Sequence, residues 1–421
     1  MSFVRIIYTL VLYAAVPFIL LRLLWRARLQ RDYLRHLPER FGFFRGMRPT
    51  QPLLWVHAVS VGETRAAEPL IRALRSRYPQ HDILLTHMTP TGRETGVALF
   101  GDDVLHCYLP YDLPDAVARF LRHFRPVAGV LLETEIWPNL IHSAAARGIP
   151  LYLVNARLSA RSLHGYQRVS GLIGDALRAL RGIAAQTQGD AMRLQALGAA
   201  AVTVTGNLKF DIEVPARQAE EGAVLKRAIG MRPVVLAAST REGEESLLLD
   251  AVQRVELRNA LLVIVPRHPQ RFDAVAALIA ARGLRLQRRS TGEPVAADTA
   301  VLLGDSMGEM FLYYALCDVV LMGGSFLPYG AHSLIEPCAA GRPVIIGPST
   351  YNFAEAADAA LAAAAAVRAT DIQQALTLAL ELVGDPGQCR RMGDAGGEFA
   401  AAHRGATQRV LKFIQPEIDS N

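Results

Sequence analysis

The length and composition of the chain limit the kind of protein it can be. Its 421 residues are enough for two folded domains, and 51% hydrophobic against 20% charged residues excludes an intrinsically disordered protein. The formal net charge of +6 is a mild basic excess and points only weakly to an anionic partner. Scattered cysteines exclude a disulfide framework and a CxxC zinc site, and favour reduced, buried thiols in a cytoplasmic protein: Cys107, Cys317, Cys338 and Cys389.

The N-terminal segment is predicted to anchor the chain to a membrane. Residues 6–21 form an apolar run, extended by residues 23–25, with Pro17 inside it. The run is slightly short of the roughly 20 residues that a spanning helix needs. Eight arginines follow within residues 22–48, and this positive flank would hold the rest of the chain on the cytoplasmic side. We expect one anchor that either spans the bilayer or dips into it; a buried core helix is the alternative.

After this segment, short apolar runs alternate with amphipathic helical patterns such as residues 66–77 and 115–124. This alternation predicts parallel, doubly wound sheets. The pattern pauses at residues 209–230, a polar stretch without strand character, and then restarts. The predicted strands are residues 53–57, 83–87, 104–108, 127–132, 151–155 and 201–205, and then 234–238, 261–265, 301–303, 319–322 and 344–346.

The predicted fold is therefore α/β, with two Rossmann-like, doubly wound domains and a cleft between them. We divide the chain into an anchor helix at residues 1–28, an N-terminal domain at 29–215 and a C-terminal domain at 216–421. The alanine-rich stretch 354–367 is predicted to be a packing helix. Such sheets bind ligands at the carboxyl ends of their strands, where most of the unusual residues of this sequence fall.

Two of these strand ends carry acids in the first half of the chain. Glu63 follows the strand 53–57 at the start of a helix, where it is either an acid favoured by the helix dipole or a general base. Glu133 and Glu135 close the strand 127–132 and would share a face if strand geometry persisted. Lys209 could reach charge that develops in the cleft, although most lysines only solvate a surface.

Residues 318–348 are the most informative stretch of the second half. They predict a buried strand, a loop broken by glycines, a helix start and another buried strand. Ser333 is a candidate N-cap with Glu336 as its capping-box partner. The alternative is a ligand site in which helix amides take a phosphate and Glu336 accepts from ribose hydroxyls.

Other strand ends in this half also suit a phosphate. Ser239, Thr240 and Arg241 follow one strand, and Arg267 and His268 follow the next between two prolines. A plain N-cap and a surface arginine are the simpler explanations. The sequence contains no GxxxxGK[ST], GxGxxG, HExxH or CxxC motif, so the chemistry it favours is metal-free group transfer.

Ten motifs in order closely resemble the bacterial 3-deoxy-D-manno-octulosonic acid (Kdo) transferases that act on lipid A precursors. The resemblance runs from the anchor to beyond Phe353. The motifs are VSVGET, MTPTG, YLPYDLPDA, ETEIWPNL, NARLSARS, VTGNLKFD, STREGEE, VPRHPQRF, GDSMGE and the block from GGSF to GPSTYNF.

This resemblance implies a GT-B glycosyltransferase fold with an acceptor domain followed by a donor domain. It implies transfer of Kdo from CMP-Kdo to a lipid A precursor in lipopolysaccharide synthesis, with inversion and without a metal or cofactor. The expected partners are CMP-Kdo, the lipid precursor and inner-membrane lipid, but no nucleic acid. The expected location is the bacterial inner membrane, with the catalytic domains on its cytoplasmic side.

The resemblance also assigns roles to individual residues. Glu63 matches the catalytic base, while Glu133 and Lys209 match positions that stabilise the transition state. The residues that match CMP-binding segments are Pro266, Arg267, Met307, Gly308, Glu309, Ser333, Leu334, Ile335 and Glu336.

The sequence departs from many members of this family in two loops. Ala331 stands where they have glycine and Ser333 where they have asparagine, and Arg241 stands where relatives often have histidine. We expect the fold to survive and the cytidine contacts to change in detail. Two alternatives stay open at this point: a soluble epimerase or UDP-sugar transferase of the same fold, and a membrane-bound scaffold without catalysis.

Overall fold

The computed structural model describes residues 2–419. Its contacts separate two compact units: the first runs up to Asp211 and includes the segment from His403 onward, and the second is Ile212–Ala402. The chain end was predicted to belong to the C-terminal domain. This part of the predicted division is wrong, because the last helix packs into the core of the first unit.

The first unit begins with a long helix and then alternates strands with helices. Its elements are α1 Phe3–Leu29, β1 Leu53–His57, α2 Val61–Arg77, β2 Asp82–His87, α3 Pro90–Phe100, β3 Leu105–Tyr108, α4 Pro114–Phe124, β4 Ala128–Leu132, α5 Pro138–Ala145, β5 Leu151–Ala156, α6 Ala160–Gln167, α7 Ser170–Ala179, β6 Gly182–Ala185, α8 Gln188–Ala196 and β7 Val202–Val204.

The second unit repeats this alternation, and one further helix then completes the first unit. The elements of the second unit are α9 Ala216–Ile229, β8 Val234–Thr240, α10 Glu244–Arg254, β9 Leu261–Pro266, α11 Phe272–Ala280, β10 Leu286–Arg288, β11 Val301–Leu303, α12 Met310–Leu316, β12 Val319–Met322, α13 Ile335–Ala339, β13 Val344–Ile346, α14 Ala354–Ala362, β14 Ala366–Arg368, α15 Ile372–Gly384 and α16 Pro386–Ala402. The helix that returns is α17, Ala406–Asp419.

Within residues 2–419 the strands form two parallel sheets of seven strands, one in each unit. The strand orders are β3-β2-β1-β4-β5-β6-β7 and β10-β11-β9-β8-β12-β13-β14. The strand order reverses between β1 and β4 in the first sheet and between β8 and β12 in the second, where β10 also lies outside β11 at the edge. The loops that leave these neighbouring strands diverge and leave a crevice at the carboxyl edge. The predicted α/β, doubly wound fold class is confirmed.

The strands are apolar on both faces because helices cover both sides of each sheet. In β1 all five residues are buried. Leu53 and Trp55 belong to one hydrophobic cluster, and Leu54 and Val56 belong to another. This separation follows from the two-residue period of a strand, which sends successive side chains to opposite faces.

Helix α17 supplies one wall of the second of these clusters. Val410, Ile414 and Ile418 recur at four-residue spacing and lie in the same cluster as Leu54 and Val56. The packing of α17 on the first unit could not be predicted from the sequence, because an amphipathic helix does not specify which of two apolar sheet faces it covers.

Helix α1 is, among residues 2–419, the one helix long and apolar enough to cross a membrane: the candidate span is Phe3–Arg28, and an 18-residue window within it has a mean hydropathy of 2.1. It includes the predicted apolar run, and Pro17 lies inside it. One of the eight arginines in its basic flank faces the protein instead of solvent. Arg40 is 2% exposed, its guanidinium lies 3.9 Å from the centre of the Tyr108 ring, and it donates to the carbonyl of Met88.

The eleven predicted strands are all present, with ends shifted by no more than two residues. Three short strands were not predicted: β6 has four residues, GIAA, and β10 and β14 are edge strands of three residues. The alanine-rich stretch was predicted as one helix through residue 367. It instead ends as α14 at Ala362 and continues into β14, where Ala366 pairs with Val344.

Candidate active site

The predicted catalytic acids lie at the point where the strand order of the first sheet reverses. Glu63 follows β1 and Glu133 follows β4, and these two strands are neighbours, with His57 paired to Leu131. Because both strands are parallel, their carboxyl ends meet at one edge of the sheet. Topology therefore brings together two acids that are 70 positions apart in the chain.

Glu63 is held by the start of helix α2. Its Oε2 accepts from the backbone N–H of Val59 at 2.8 Å, and its Oε1 accepts from the Ser60 hydroxyl at 3.0 Å. Ser60 is the N-cap and accepts in return from the backbone N–H of Glu63. This is a capping box. The predicted structural role of Glu63 is present, and it fixes the carboxylate at the sheet edge.

The surroundings of Glu63 favour its protonated form. Burial, together with the negative charges of Glu133 and Glu135, raises the pKa of this carboxyl to about 7, against the opposing effect of the hydrogen bonds from Val59 and Ser60. A carboxyl with a pKa near neutrality can both take and give up a proton under physiological conditions. Glu63 therefore has the properties of a general base.

Glu133 is turned out of the strand by an uncommon backbone conformation. Its φ is +58°, in the left-handed region, and β4 ends one residue earlier at Leu132. The prediction that Glu133 and Glu135 share a face required strand geometry to persist as far as Glu135. It does not, because the strand ends at Leu132. The Glu133 side chain forms an ion pair with Lys209, with Nζ 2.7 Å from Oε1 and both side chains less than 20% exposed. The pair fixes the carboxylate beside Glu63.

A buried amide positions Lys209. Lys209 lies in a 3-10 turn, Leu208–Asp211. Asn155, at the end of β5, is completely buried with φ +51°, and its Oδ1 accepts from the backbone N–H of Leu208 at 3.0 Å. The backbone N–H of Lys209 also donates to Oδ1 of Asn207 at 3.0 Å. These contacts tie the turn that carries Lys209 to the strand next to β4.

Glu135 has its own partners on the other side of Glu133. Its Oε2 accepts from the Trp137 indole at 2.8 Å and lies 3.9 Å from Nε2 of the buried His57. Burial and the charge of Glu133 raise the pKa of Glu135. Burial lowers the pKa of His57 to about 3, so this imidazole is neutral. Among the described residues, this edge therefore brings together the carboxyl groups of Glu63, Glu133 and Glu135 and the ammonium group of Lys209.

In the second unit the glycine loop after β12 is organised by a buried acid. Glu244, 1% exposed at the start of α10, accepts from the backbone N–H groups of Gly324 at 2.7 Å and Phe326 at 3.0 Å. A side chain on Gly323 would meet the carbonyls of Ala238 and Ser239 at less than 3 Å, so glycine permits this close approach of β8 and β12. The loop lies where the strand order reverses.

The capping-box prediction for Ser333 is wrong. Helix α13 begins at Ile335 with Leu334 as its N-cap, and that cap makes no side-chain hydrogen bond. Glu336 does lie in the first turn of the helix. Within residues 2–419, the Ser333 hydroxyl is buried without a hydrogen-bond partner. A buried hydroxyl of this kind costs free energy unless a ligand or water satisfies it, which favours the ligand interpretation of this loop.

A group of cationic and imidazole side chains faces this loop. Arg241 contacts the Nε2 atom of His268 at 3.0 Å and lies 4.7 Å from the centre of the Tyr329 ring. Burial, together with the positive charges of Arg267 and Arg241, lowers the pKa of His332 to about 3. The pKa of His268 is lowered by burial and by the same arginines. Concentrated positive charge at strand ends suits an anionic ligand.

The third segment of the predicted nucleotide site follows β11. Gly308 has φ +81° and Met307 is 57% exposed. Glu309 is the N-cap position of α12; it accepts from the Ser306 hydroxyl and lies 3.5 Å from Arg289. The backbone carbonyl of Gly308 accepts from the Gln218 side chain at 2.9 Å.

The structure therefore places the predicted residues in two groups. Glu63, Glu133 and Lys209 share one edge of the first sheet. The nine residues of the CMP-binding prediction follow β9, β11 and β12 at the carboxyl edge of the second sheet. Sequence reasoning missed Asn155, Glu244, His57 and His332 as parts of these edges. Of these four, only Asn155 could have been recognised from the sequence, because an asparagine at a strand end suggests a turn with positive φ.

The two doubly wound α/β units, each with a parallel sheet of seven strands, define a protein of the GT-B fold class. Two solved structures have this architecture: a glycosyltransferase from Rickettsia africae (TM-score 0.60, 11% identity) and a UDP-GlcNAc 2-epimerase from Neisseria meningitidis (TM-score 0.58, 15% identity). Each comparison covers 88% of this chain and all of the other. At these identities the likeness concerns the fold alone.

Sequence comparison identifies the family within this class. The chain is 46% identical to the 3-deoxy-D-manno-octulosonic acid transferase of Bordetella pertussis, over 98% of this chain and 99% of the other. It is 37% identical to that of Haemophilus influenzae over 99% of both. The profile described as 3-Deoxy-D-manno-octulosonic-acid transferase (kdotransferase) matches residues 35–212. The chain belongs to the Kdo transferases, which confirms the family, the enzyme class and the glycosyltransferase activity predicted from the motifs.

Proposed function

We propose that this Kdo transferase moves Kdo from CMP-Kdo to a lipid A precursor by direct, inverting displacement, with Glu63 as general base. The observation that carries this proposal is the Glu63 carboxyl itself. It is fixed by a capping box, has a pKa near 7, and lies at the crevice of the first sheet beside the Glu133–Lys209 pair.

In the proposed step, the 6'-hydroxyl oxygen of the lipid's distal glucosamine attacks the anomeric carbon of Kdo. The bond from that carbon to the phosphate oxygen of CMP breaks, and its electron pair leaves with CMP. The hydroxyl proton passes to Glu63. One displacement inverts the anomeric carbon and forms no covalent sugar–enzyme intermediate.

Glu133 and Lys209 would stabilise the charges that develop during this step. A carboxylate suits the positive charge of an oxocarbenium-like carbon, and an ammonium group suits the negative charge on the departing phosphate. Their 2.7 Å ion pair and their limited exposure hold both groups in place before substrate binds. Preorganised charges of this kind cost no reorganisation at the moment of reaction.

The donor nucleotide would bind the second unit. The phosphate of CMP suits the cationic group that contains Arg241 and Arg267 and the unsatisfied hydroxyl of Ser333. Glu336 would accept from the ribose hydroxyls. The segments at Pro266–Arg267, Met307–Glu309 and Ser333–Glu336 complete the proposed nucleotide site.

The acceptor would bind the first unit at the cytoplasmic face of the bacterial inner membrane. Helix α1 supplies the apolar surface for membrane association. An open depression of about 690 Å³ in the same unit is lined by basic and aromatic residues and suits the phosphates of a bisphosphorylated lipid. Its lining includes Phe43, Phe44, Arg45, Arg119, Arg122 and His123.

The decisive experiment is transfer from CMP-Kdo to a tetraacylated, bisphosphorylated lipid A precursor in the presence of a chelator, with mass spectrometry of the product. We expect the wild-type enzyme to add Kdo to the lipid precursor. The Glu63→Ala variant should add none, although it should still bind CMP. Glu68→Ala, on the same helix, is the matched control and should remain active. No product from folded wild-type protein, with Mg²⁺ unable to restore it, would contradict the proposal. Undiminished Kdo incorporation in cells that carry Glu63→Ala would favour a non-catalytic scaffold.

A further inference from the structure

Helix α1 carries two different apolar faces along its whole length. One face is covered by the first unit: positions 5, 9, 12, 16, 19, 23 and 27 are all buried or half-buried, and Thr9, Leu23 and Ala27 are at most 9% exposed. This spacing of three and four residues forms one continuous stripe of a helix. The helix therefore lies against the first unit from its first turn to its last.

The opposite face is apolar and exposed. Its members recur at the same spacing and include large side chains, with Phe3 75%, Phe18 72% and Trp25 60% exposed. The stripe consists of Phe3, Ile7, Leu10, Ala14, Phe18, Leu21 and Trp25. An exposed apolar stripe of this length marks an interaction surface.

Three hydroxyl groups tie the covered face to polar groups of the first unit. The Tyr8 hydroxyl donates to Asp112 at 3.0 Å, and the Tyr13 hydroxyl donates to Asp115 at 2.6 Å. Asn139 donates to the Thr9 hydroxyl at 3.1 Å. Asp112 and Asn139 are buried, and Asp112 also accepts from two backbone N–H groups at the start of α5. The contacts are therefore part of the folded unit.

These contacts conflict with a helix that crosses the bilayer. If Arg22 lay at the cytoplasmic surface, Tyr8 would lie about 21 Å further along the helix, deep within a hydrocarbon core of about 30 Å. Asp112, Asp115 and Asn139 would then have to enter the hydrocarbon or lose their bonds to the helix. Charged groups at that depth are expensive.

We propose that α1 does not span the membrane but lies in its plane, docked on the first unit, with the stripe from Phe3 to Trp25 inserted into one leaflet. The exposed arginines in the last two turns of α1 and just after it, including Arg22, Arg28, Arg31 and Arg35, would contact anionic headgroups beside it. The occupant of the stripe is thus the lipid leaflet. This inference rests on the proposed membrane association but not on the proposed reaction.

The side of the membrane on which the helix start lies tests this arrangement. In the full chain, with the half-buried Cys389 replaced by serine, Ser2→Cys reports the helix start and Met231→Cys, at a position 99% exposed, reports the second unit. Each variant is treated with a membrane-impermeant maleimide in intact spheroplasts and in inverted vesicles. We expect both cysteines to be protected in spheroplasts and modified in inverted vesicles. A spanning helix would place them on opposite sides and would overturn the inference.

Cross-linking tests the docking directly. With Asp115→Cys, a short bismaleimide should join Tyr13→Cys in membranes but not Ala14→Cys, the neighbouring position on the lipid-facing stripe; Tyr13 and Asp115 are in contact and both are accessible. Equal cross-linking of both pairs, or none with membrane-bound and folded protein, would overturn the docked helix. Recovery of the protein in the soluble fraction would overturn membrane association as well, whereas failure of the transfer assay alone leaves this inference standing.

Discussion

At the scale of single residues, Glu63 shows that a structural and a proposed chemical role can share one carboxylate. The sequence presented two alternatives for Glu63, an acid favoured by the helix dipole or a general base. In the structure the capping box with Ser60 and the N–H of Val59 holds the carboxylate where the sheet order reverses. The cap therefore provides the fixed position that a base requires.

The raised pKa of Glu63 predicts a pH dependence of transfer. A base must be ionised, so the rate at saturating substrate should rise through about pH 7 and level off above it, measured as initial rates between pH 5.5 and 8.5. Glu63→Gln should abolish this rise together with activity. A rate that is flat between pH 5.5 and 8.5 in the wild type would contradict the assignment.

The same shift predicts an effect on stability, with a defined sign. Because the folded-state pKa is raised from 4.5 to about 7, the folded protein holds the proton more tightly, and its stability falls as pH rises through this interval. Glu63→Gln keeps a neutral acceptor there and lacks this loss. The melting temperature of the variant should therefore fall less between pH 5 and 8 than that of the wild type; Glu68→Gln should behave as the wild type.

The Glu133–Lys209 pair predicts unequal effects on stability and activity. Lys209→Met leaves a largely buried carboxylate without its cation and should cost about 2 kcal/mol of unfolding free energy. Adding Glu133→Gln should recover part of that stability, since no unpaired charge remains, but should not recover transfer. Urea denaturation of both variants measures the first effect, and the transfer assay measures the second. Full activity in the double variant would contradict the proposed roles.

Ala331 occupies a backbone conformation that glycine favours. Its φ is +66° and the residue is 3% exposed. Replacement by glycine relieves backbone strain, but it also removes a buried methyl group and adds conformational freedom to the unfolded chain. Because these effects oppose one another, the free energy of unfolding, measured by thermal denaturation, should change by less than about 1 kcal/mol. Ala331→Val should destabilise by about 2 kcal/mol or more, because a β-branched residue tolerates this φ poorly. Ala364→Gly, at an exposed site with φ +55°, should stabilise.

At the scale of elements, α17 carries the largest departure from the predicted organisation. Val410 is completely buried in the first unit, while Lys412 on the same helix is exposed. Val410→Asp places an unpaired carboxylate in the core and should cost several kcal/mol, a large share of a typical stability of about 5–15 kcal/mol. Lys412→Asp should change the melting temperature little. Calorimetry of both variants would distinguish them, and equal melting temperatures would contradict the packing of α17.

The elements also show which sequence patterns were sufficient to predict a strand. Continuous apolar runs such as β1, β9 and β12 were predicted with ends within one residue, because strands buried on both faces must be apolar throughout. The strands β6, β10 and β14 were missed, because short strands composed mainly of glycine, alanine or polar residues pair through backbone groups that leave no side-chain pattern. Lys209 and Glu133 were named from sequence, but their ion pair depends on a turn held by Asn155.

At the scale of the whole molecule, the second unit has a sheet, helices on both faces and a hydrophobic cluster of its own. Residues 212–402 expressed alone should therefore unfold cooperatively and bind CMP more tightly than cytidine, since the phosphate meets the cationic group around Arg267. Arg267→Ala should remove most of that difference, measured by isothermal titration. Equal affinity for CMP and cytidine would contradict the proposed phosphate site.

The sequence by itself determined the fold class, the family and the identity of the acids at the strand ends, because burial on both faces of a sheet and ordered motifs leave direct traces in residue type. Tertiary structure decided the return of α17, the loss of the Ser333 cap and the pairing of Glu133 with Lys209, since each depends on contacts between distant segments. The same holds for α1. A face packed on protein and a face inserted into lipid are both apolar, so the sequence of this helix resembles that of a spanning segment, and only its contacts with Asp112, Asp115 and Asn139 favour a different orientation.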